Sequence, residues 1–126
     1  MQAKKIDHIA IICTDYVKAK EFYVHHLGMK VVEETERLNK NDMKLDLEYG
    51  GVMFELFIKP DAPKRVSYPE AAGLRHIAFE TDNIEADVEE LKSKGIEVEK
   101  IRRDDLNNQK MTFFFDPDGL PSELHE

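Results

Sequence analysis

The sequence predicts an α+β fold made of two tandem β-α-β-β-β modules, residues 1–58 and 73–126, joined by a connector at 59–72 into a single domain. Three observations carry this reading. A ten-residue stretch occurs twice, as Ile6-Asp7-His8-Ile9-Ala10-Ile11-Ile12-Cys13-Thr14-Asp15 and as Gly73-Leu74-Arg75-His76-Ile77-Ala78-Phe79-Glu80-Thr81-Asp82, sharing a His-Ile-Ala core and a closing Thr-Asp. The order strand, helix, strand, strand, strand can be read in each half. Between them, residues 59–72 hold Pro60, Pro63 and Pro69, unlike either flank, and long connectors commonly bridge modules. The repeat offset is 68 at His8/His76, 67 at Thr14/Thr81 and Gly28/Gly95, and 68 again at Gly51/Gly119 and Glu55/Glu123.

The elements follow from local pattern. Residues 5–13 are β-branched and apolar with little polar interruption, which predicts a strand buried on both faces, with Ile6, His8, Ala10 and Ile12 on one of them. Thr14-Asp15 offers a helix cap, Tyr16, Val17, Ala19, Phe22, Tyr23 and Leu27 recur at roughly helical spacing, and Gly28 stands where a helix stops. Strands are expected at Met29–Leu38, Lys44–Tyr49 and Val52–Ile58, with turns at Asn39-Lys40-Asn41-Asp42 and Gly50-Gly51. In the second half, strands are expected at Leu74–Glu80, Ile96–Ile101, Met111–Phe115 and Leu120–His125. A helix is expected over Asn83–Lys94, closed by Gly95, and Asp116-Pro117-Asp118-Gly119 is a strong turn signal.

Composition narrows the function classes. With 126 residues, 41% hydrophobic and 35% charged, the chain is expected to be a soluble globular protein with a sizeable core. A net charge of −8 argues against nucleic acid and against an anionic membrane surface. No apolar run approaches the roughly 18 residues of a membrane span. Cys13 is the sole cysteine and reads as a small buried hydrophobe. Without an internal disulfide or a signal-peptide stretch, a cytoplasmic protein is expected.

The chemistry resides in the duplicated pair. Each half has a histidine and, 47 positions later, a glutamate, namely His8 with Glu55 and His76 with Glu123. If equivalent strands lie side by side about a pseudo-twofold axis, the four face one cavity. Two imidazoles and two carboxylates suit a divalent first-row metal with positions left for water or substrate. Strand parity agrees, because Met53, Glu55 and Phe57 share a face, as do Pro121, Glu123 and His125. Glu55 lies between Phe54 and Leu56, and carboxylates are rarely buried unless paired or bound to a metal. His125 stands beside the chain end and reads as part of a frayed tail. His25 and His26 fall near a helix end, where the dipole explains them.

The chain resembles the vicinal oxygen chelate superfamily, the group containing glyoxalase I, the bleomycin-resistance proteins and extradiol dioxygenases, and is most similar to its short bacterial glyoxalase I-like members. Asp7-His8-Ile9-Ala10, Glu21-Phe22-Tyr23-Val24-His25-His26-Leu27-Gly28-Met29, Phe54-Glu55-Leu56-Phe57, Gly73-Leu74-Arg75-His76-Ile77-Ala78-Phe79 and Phe115-Asp116-Pro117-Asp118-Gly119 with Glu123-Leu124 carry the resemblance. It implies a curled mixed sheet around a metal cavity. One divalent ion (nickel, zinc, cobalt, manganese or iron) would be held by His8, Glu55, His76 and Glu123. It also implies a lyase or isomerase that moves a proton through a metal-bound enediolate of a small carbonyl or hydroxy-carbonyl substrate. Glu123 is expected as the principal base, on a terminal strand free to move, and Glu55 as the firmer ligand and secondary base.

Ring-cleaving dioxygenases and fosfomycin-resistance enzymes resemble each other in using two histidines and one glutamate, and methylmalonyl-CoA epimerases typically have glutamine at the position of Glu55. A dioxygenase, a thiol transferase on the same scaffold, or a non-catalytic drug-binding resistance protein are the alternatives. Ile12 and Lys59 stand where bacterial glyoxalase I has an arginine and an asparagine that contact glutathione. The resemblance therefore implies kept metal chemistry and a changed substrate. Lys59, Arg75, Arg102, Arg103 and Lys110 are the cations available to an anion. A homodimer is expected, with each site either within one chain or shared by exchange of modules through the connector.

Overall fold

The computed structural model describes residues 1–126, and the chain divides into two compact units, Met1–Pro63 and Lys64–Glu126. The division falls inside the proline-bearing connector. In the first unit, β1 (His8–Cys13) leads into helix α1 (Tyr16–Lys20), which continues as a π-helical turn over Glu21–His26. The strands β2 (Lys30–Arg37), β3 (Asp42–Tyr49) and β4 (Val52–Ile58) follow. In the second, β5 (Ile77–Glu80) and α2 (Ile84–Ser93) are followed by β6 (Arg102–Arg103), β7 (Lys110–Phe115) and β8 (Pro121–His125). Each unit has one four-stranded mixed sheet, ordered β1-β4-β3-β2 and β5-β8-β7-β6. In both, the module's first strand runs parallel to its last and the remaining pairings are antiparallel. The α+β fold of repeated modules predicted from sequence is therefore present. No helix is long and apolar enough to cross a membrane.

The helix signals act as read. The Asp15 carboxylate accepts from the Lys18 amide at 3.0 Å and the Asn83 side chain accepts from the Ala86 amide at 3.1 Å, satisfying amides left open at each helix start. Gly28 and Gly95 follow the helices with φ of 79° and 82°, in the left-handed region that only glycine enters freely.

Two expectations require correction. The first strand is covered on one face within its unit, not on both. Ile11 and Cys13 are buried, whereas His8 and Ala10 are exposed and Ile12 is 55% exposed. Continuous β-branched residues cannot by themselves tell a sheet's core face from its open face. The strand expected at Ile96–Ile101 is reduced to a single bridge between Val98 and Phe114, and pairing with β7 resumes only at Arg102–Arg103. The Thr112 hydroxyl donates to the Glu99 carbonyl at 2.7 Å, so a side chain takes an acceptor that a regular ladder would use.

Register then decides what each sheet face carries. In the first unit Leu45, Leu47, Phe54, Leu56 and Ile58 are buried, along with Ala19, Phe22 and Tyr23 from the helical segment. The opposite face presents His8, Lys44, Asp46 and Glu55, because Asp46 and Ala10 both lie directly across from Glu55. The second unit matches it, with Ala78 and Phe113 directly across from Glu123.

At the far end of the β2–β3 hairpin, Asn41 (φ 50°) closes the turn and Arg37 pairs with buried Asp42. Arg37 donates from Nε to Asp42 Oδ1 at 2.6 Å and from Nη2 to Oδ2, and Lys59 Nζ donates to Oδ2 at 3.2 Å. The Arg37 fork, assisted by Lys59 and opposed by burial, lowers the Asp42 pKa from 3.8 to about 2. A carboxylate whose pKa is depressed by folding contributes stability above its unfolded value and loses it as pH falls through the folded value. Asp42→Asn is therefore expected to melt below the parent protein at neutral pH. The gap should close between about pH 4 and pH 2 in thermal unfolding measured across that range, and a gap that stays constant would remove Asp42 from the acid response.

Candidate metal centre

His8 opens β1 and Glu55 sits in the middle of β4, on the adjacent parallel strand. Their facing atoms, His8 Nε2 and Glu55 Oε2, are 3.3 Å apart. On the other side of the ring, His8 Nδ1 lies 2.9 Å from Asp7 Oδ2. A carboxylate accepting from Nδ1–H fixes the tautomer whose Nε2 carries the free lone pair a metal would take. The Asp7 hydrogen bond, followed by the charge of Glu55, pushes the His8 imidazole up in pKa, and Asp7 is correspondingly lowered.

Glu55 has a second partner. Lys44 Nζ donates to its Oε1 at 2.8 Å and also lies 3.1 Å from Asp46 Oδ1. That Asp46 oxygen is buried without a well-aligned hydrogen bond, so the lysine meets it through charge more than through direction. Lys44 is held up in pKa, first by its hydrogen bond to Glu55 and then by the nearby Asp46 carboxylate.

The second unit holds the matching pair in a different setting. His76 immediately precedes β5, and its Nε2 is 2.8 Å from Glu123 Oε2. Glu123 is 8% exposed by side chain and stands across from Phe113, where the first module has Asp46 across from Glu55. The Phe113 ring meets His76 edge-on at 5.3 Å. Strand β8 is an inner strand, bonded to both β5 and β7, so Glu123 does not sit on a loose chain end. His125 is likewise ordered by pairing, across from Glu80 and Met111.

Each unit thus brings together one imidazole nitrogen and one carboxylate oxygen. Two ligands about 2.1 Å from one ion and at right angles to it are about 3.0 Å apart. The observed separations of 3.3 and 2.8 Å suit neighbouring corners of a single coordination shell. No three His, Cys, Asp or Glu side chains of the chain are gathered into a metal cluster.

The other candidates lie elsewhere. His26 pairs with Glu21 at 3.4 Å, within the π-helical turn that also contains His25. His125 Nε2 is 3.4 Å from Asn107 Nδ2. Lys59 is engaged by Asp42, Arg103 donates to the Asn108 carbonyl, and Lys110 donates to Glu85.

Residues 5–124 match the family model for the Glyoxalase/Bleomycin resistance protein/Dioxygenase superfamily. The chain belongs to that superfamily. It is 54% identical to the uncharacterized protein YwkD of Bacillus subtilis (strain 168), covering 100% of this chain and 99% of that protein. A crystal structure of a glyoxalase family protein from Enterococcus faecalis superposes with a TM-score of 0.94 at 52% identity, covering both chains fully. Human mitochondrial methylmalonyl-CoA epimerase is 32% identical over 73% of this chain and 54% of its own length. These likenesses bear out the family resemblance and the fold.

Asp7, Lys44 and Asp46 were not singled out in the sequence. A signal for Asp46 was present, since a two-residue Gly50-Gly51 hairpin loop sets Tyr49 across from Val52 and so Asp46 across from Glu55.

Proposed function

We propose that the chain is a metal-dependent isomerase or lyase of glyoxalase I type, acting on a small carbonyl or hydroxy-carbonyl compound. In this reading His8, Glu55, His76 and Glu123 hold one divalent ion, nickel, zinc, cobalt, manganese or iron. The two pairs come from one chain or from two copies in a homodimer. The supporting observation is the recurrence of one His–Glu pair at equivalent register positions of two differently decorated sheets.

When bound, a divalent ion supplies Lewis acidity to two neighbouring substrate oxygens. Glu123 then takes the proton from the carbon beside the carbonyl and returns it to the neighbouring carbon. His76, at 2.8 Å, and the Phe113 ring orient that carboxylate and keep bulk water from one side of it. Glu55, held by Lys44, acts as the steadier ligand. Epimerisation begins with the same abstraction by Glu123, with a proton then delivered to the opposite face of the original carbon by Glu55 as the second acid, and the likeness to methylmalonyl-CoA epimerase favours it as the second reading.

The test combines elemental analysis of protein purified without added metal with turnover of hemithioacetals in deuterated water. About one divalent ion per four-ligand site is expected, together with product whose receiving carbon carries the substrate's own hydrogen, diluted only by deuterium that exchanges onto Glu123. Absence of a bound ion would overturn the metalloenzyme reading. Oxygen consumption with ferrous iron would replace the isomerase with a dioxygenase.

A further inference from the structure

Of the five cations open to an anion in the sequence, the structure leaves two beside the candidate centre. A cleft of about 440 Å³ in the second unit borders His76, and both Arg75 and Arg102 line it, together with Tyr68 and Phe113. The Arg102 guanidinium lies 5.4 Å from the centre of the Phe113 ring, the ring that His76 meets edge-on. Stacking on an aromatic leaves the edges of a guanidinium open to planar, two-point recognition. Each arginine has an acidic neighbour on the same rim. Arg75 donates from Nε to Glu70 Oε1 at 2.5 Å, and Arg102 from Nη1 to Glu99 Oε2 at 3.2 Å. These contacts are solvated and use one nitrogen of each fork, and exposed pairs of this kind contribute little and yield readily.

We propose that Arg75 and Arg102 form an oxyanion clamp beside His76, and that the substrate of this site is a small acid carrying a carboxylate or phosphoryl group near its vicinal oxygens. The inference deepens the isomerase reading and rests on it. In a chain with a net charge of −8, anions are repelled at long range, and this cleft, where Arg75 and Arg102 balance Glu70 and Glu99, lacks that excess of negative charge. A bidentate oxyanion recruits guanidinium N–H groups that the glutamates leave unused, and such charge-assisted forks are the strongest of ordinary hydrogen bonds. Arg75 adjoins His76 in the chain and the Phe113 ring lies between Arg102 and His76, so a substrate held by its acid group would be anchored beside the His76–Glu123 pair.

The test uses the full chain, first free of metal. Inorganic phosphate and acetate are titrated at neutral pH and binding is followed by NMR shifts of backbone amides. Saturable binding is expected. Arg102→Gln and Arg75→Gln should each weaken it by about tenfold or more, and Arg102→Lys should restore only part of it because the fork is lost. Arg103→Gln, which alters a neighbouring arginine bound to the Asn108 carbonyl, should leave it unchanged. A tighter response to phosphate assigns a phosphoryl group, and a tighter response to acetate a carboxylate. No saturable binding, or an equal loss in Arg103→Gln, overturns the clamp. Titration of nickel or cobalt into the same variants separates the two ideas. Metal binding without anion binding removes the clamp alone, whereas anion binding without metal binding removes the isomerase reading.

Discussion

Glu123→Gln is expected to keep most of its metal and slow the proton-transfer step by roughly 10²–10⁴-fold, the usual worth of a positioned base. The amide is nearly isosteric and still ligates weakly, but it cannot accept the proton. Glu55→Gln is expected to lose more metal affinity and less rate at saturating metal. The structure gives this asymmetry a basis other than chain-end freedom, because β8 is an inner strand. Glu55 has one oxygen fixed by the Lys44 ammonium at 2.8 Å and the other facing His8. Glu123 faces His76 and an aromatic ring, with no lysine in the place that Lys44 takes in the first module. The comparison is made at saturating metal on whichever substrate turns over. Greater damage from Glu55→Gln reverses the roles, and no slowing in either variant sinks carboxylate base chemistry.

His76→Ala is expected to abolish stoichiometric metal binding at neutral pH. It also removes the partner of a carboxylate that is 8% exposed, so the metal-free protein should itself melt lower. The two effects separate in one experiment. Metal at a hundredfold excess over its dissociation constant stabilises a native state by about 2.7 kcal/mol, or several degrees in a domain of this size. The parent should show that rise in melting temperature on metal addition and the variant should not. An equal rise in both would make the histidine a structural residue.

The fold was legible because its signals are local. Asp15 and Asn83 cap the helices, Gly28 and Gly95 end them, and glycine at both positions of the Gly50-Gly51 loop fixes a hairpin register. The four ligand candidates were legible because duplication repeats them at the same spacing. Lys44, Asp46 and Asp7 do not repeat. Met111 stands where Lys44 does and Phe113 where Asp46 does, so repetition pointed away from them. Their roles depend on which side chains meet across strands, and that follows only from register. The segment 96–101 was misread for a related reason. Its alternation of apolar and charged residues suits a strand, yet the Thr112 hydroxyl claims the Glu99 carbonyl, and no local pattern announces that competition.

Lys44 bears on how an ion would enter the proposed site. His8, Lys44, Asp46 and Glu55 all belong to Met1–Pro63, the half that leaves the ribosome first. Once that half folds, its carboxylates are already compensated by an ammonium carried on the same sheet. On the metalloenzyme reading, loading is a trade of partners, in which a cation arriving from solution displaces the Lys44 ammonium from Glu55. With such a placeholder Glu55 is compensated before any ion arrives, and a metal at the proposed site has an ammonium to displace as well as water.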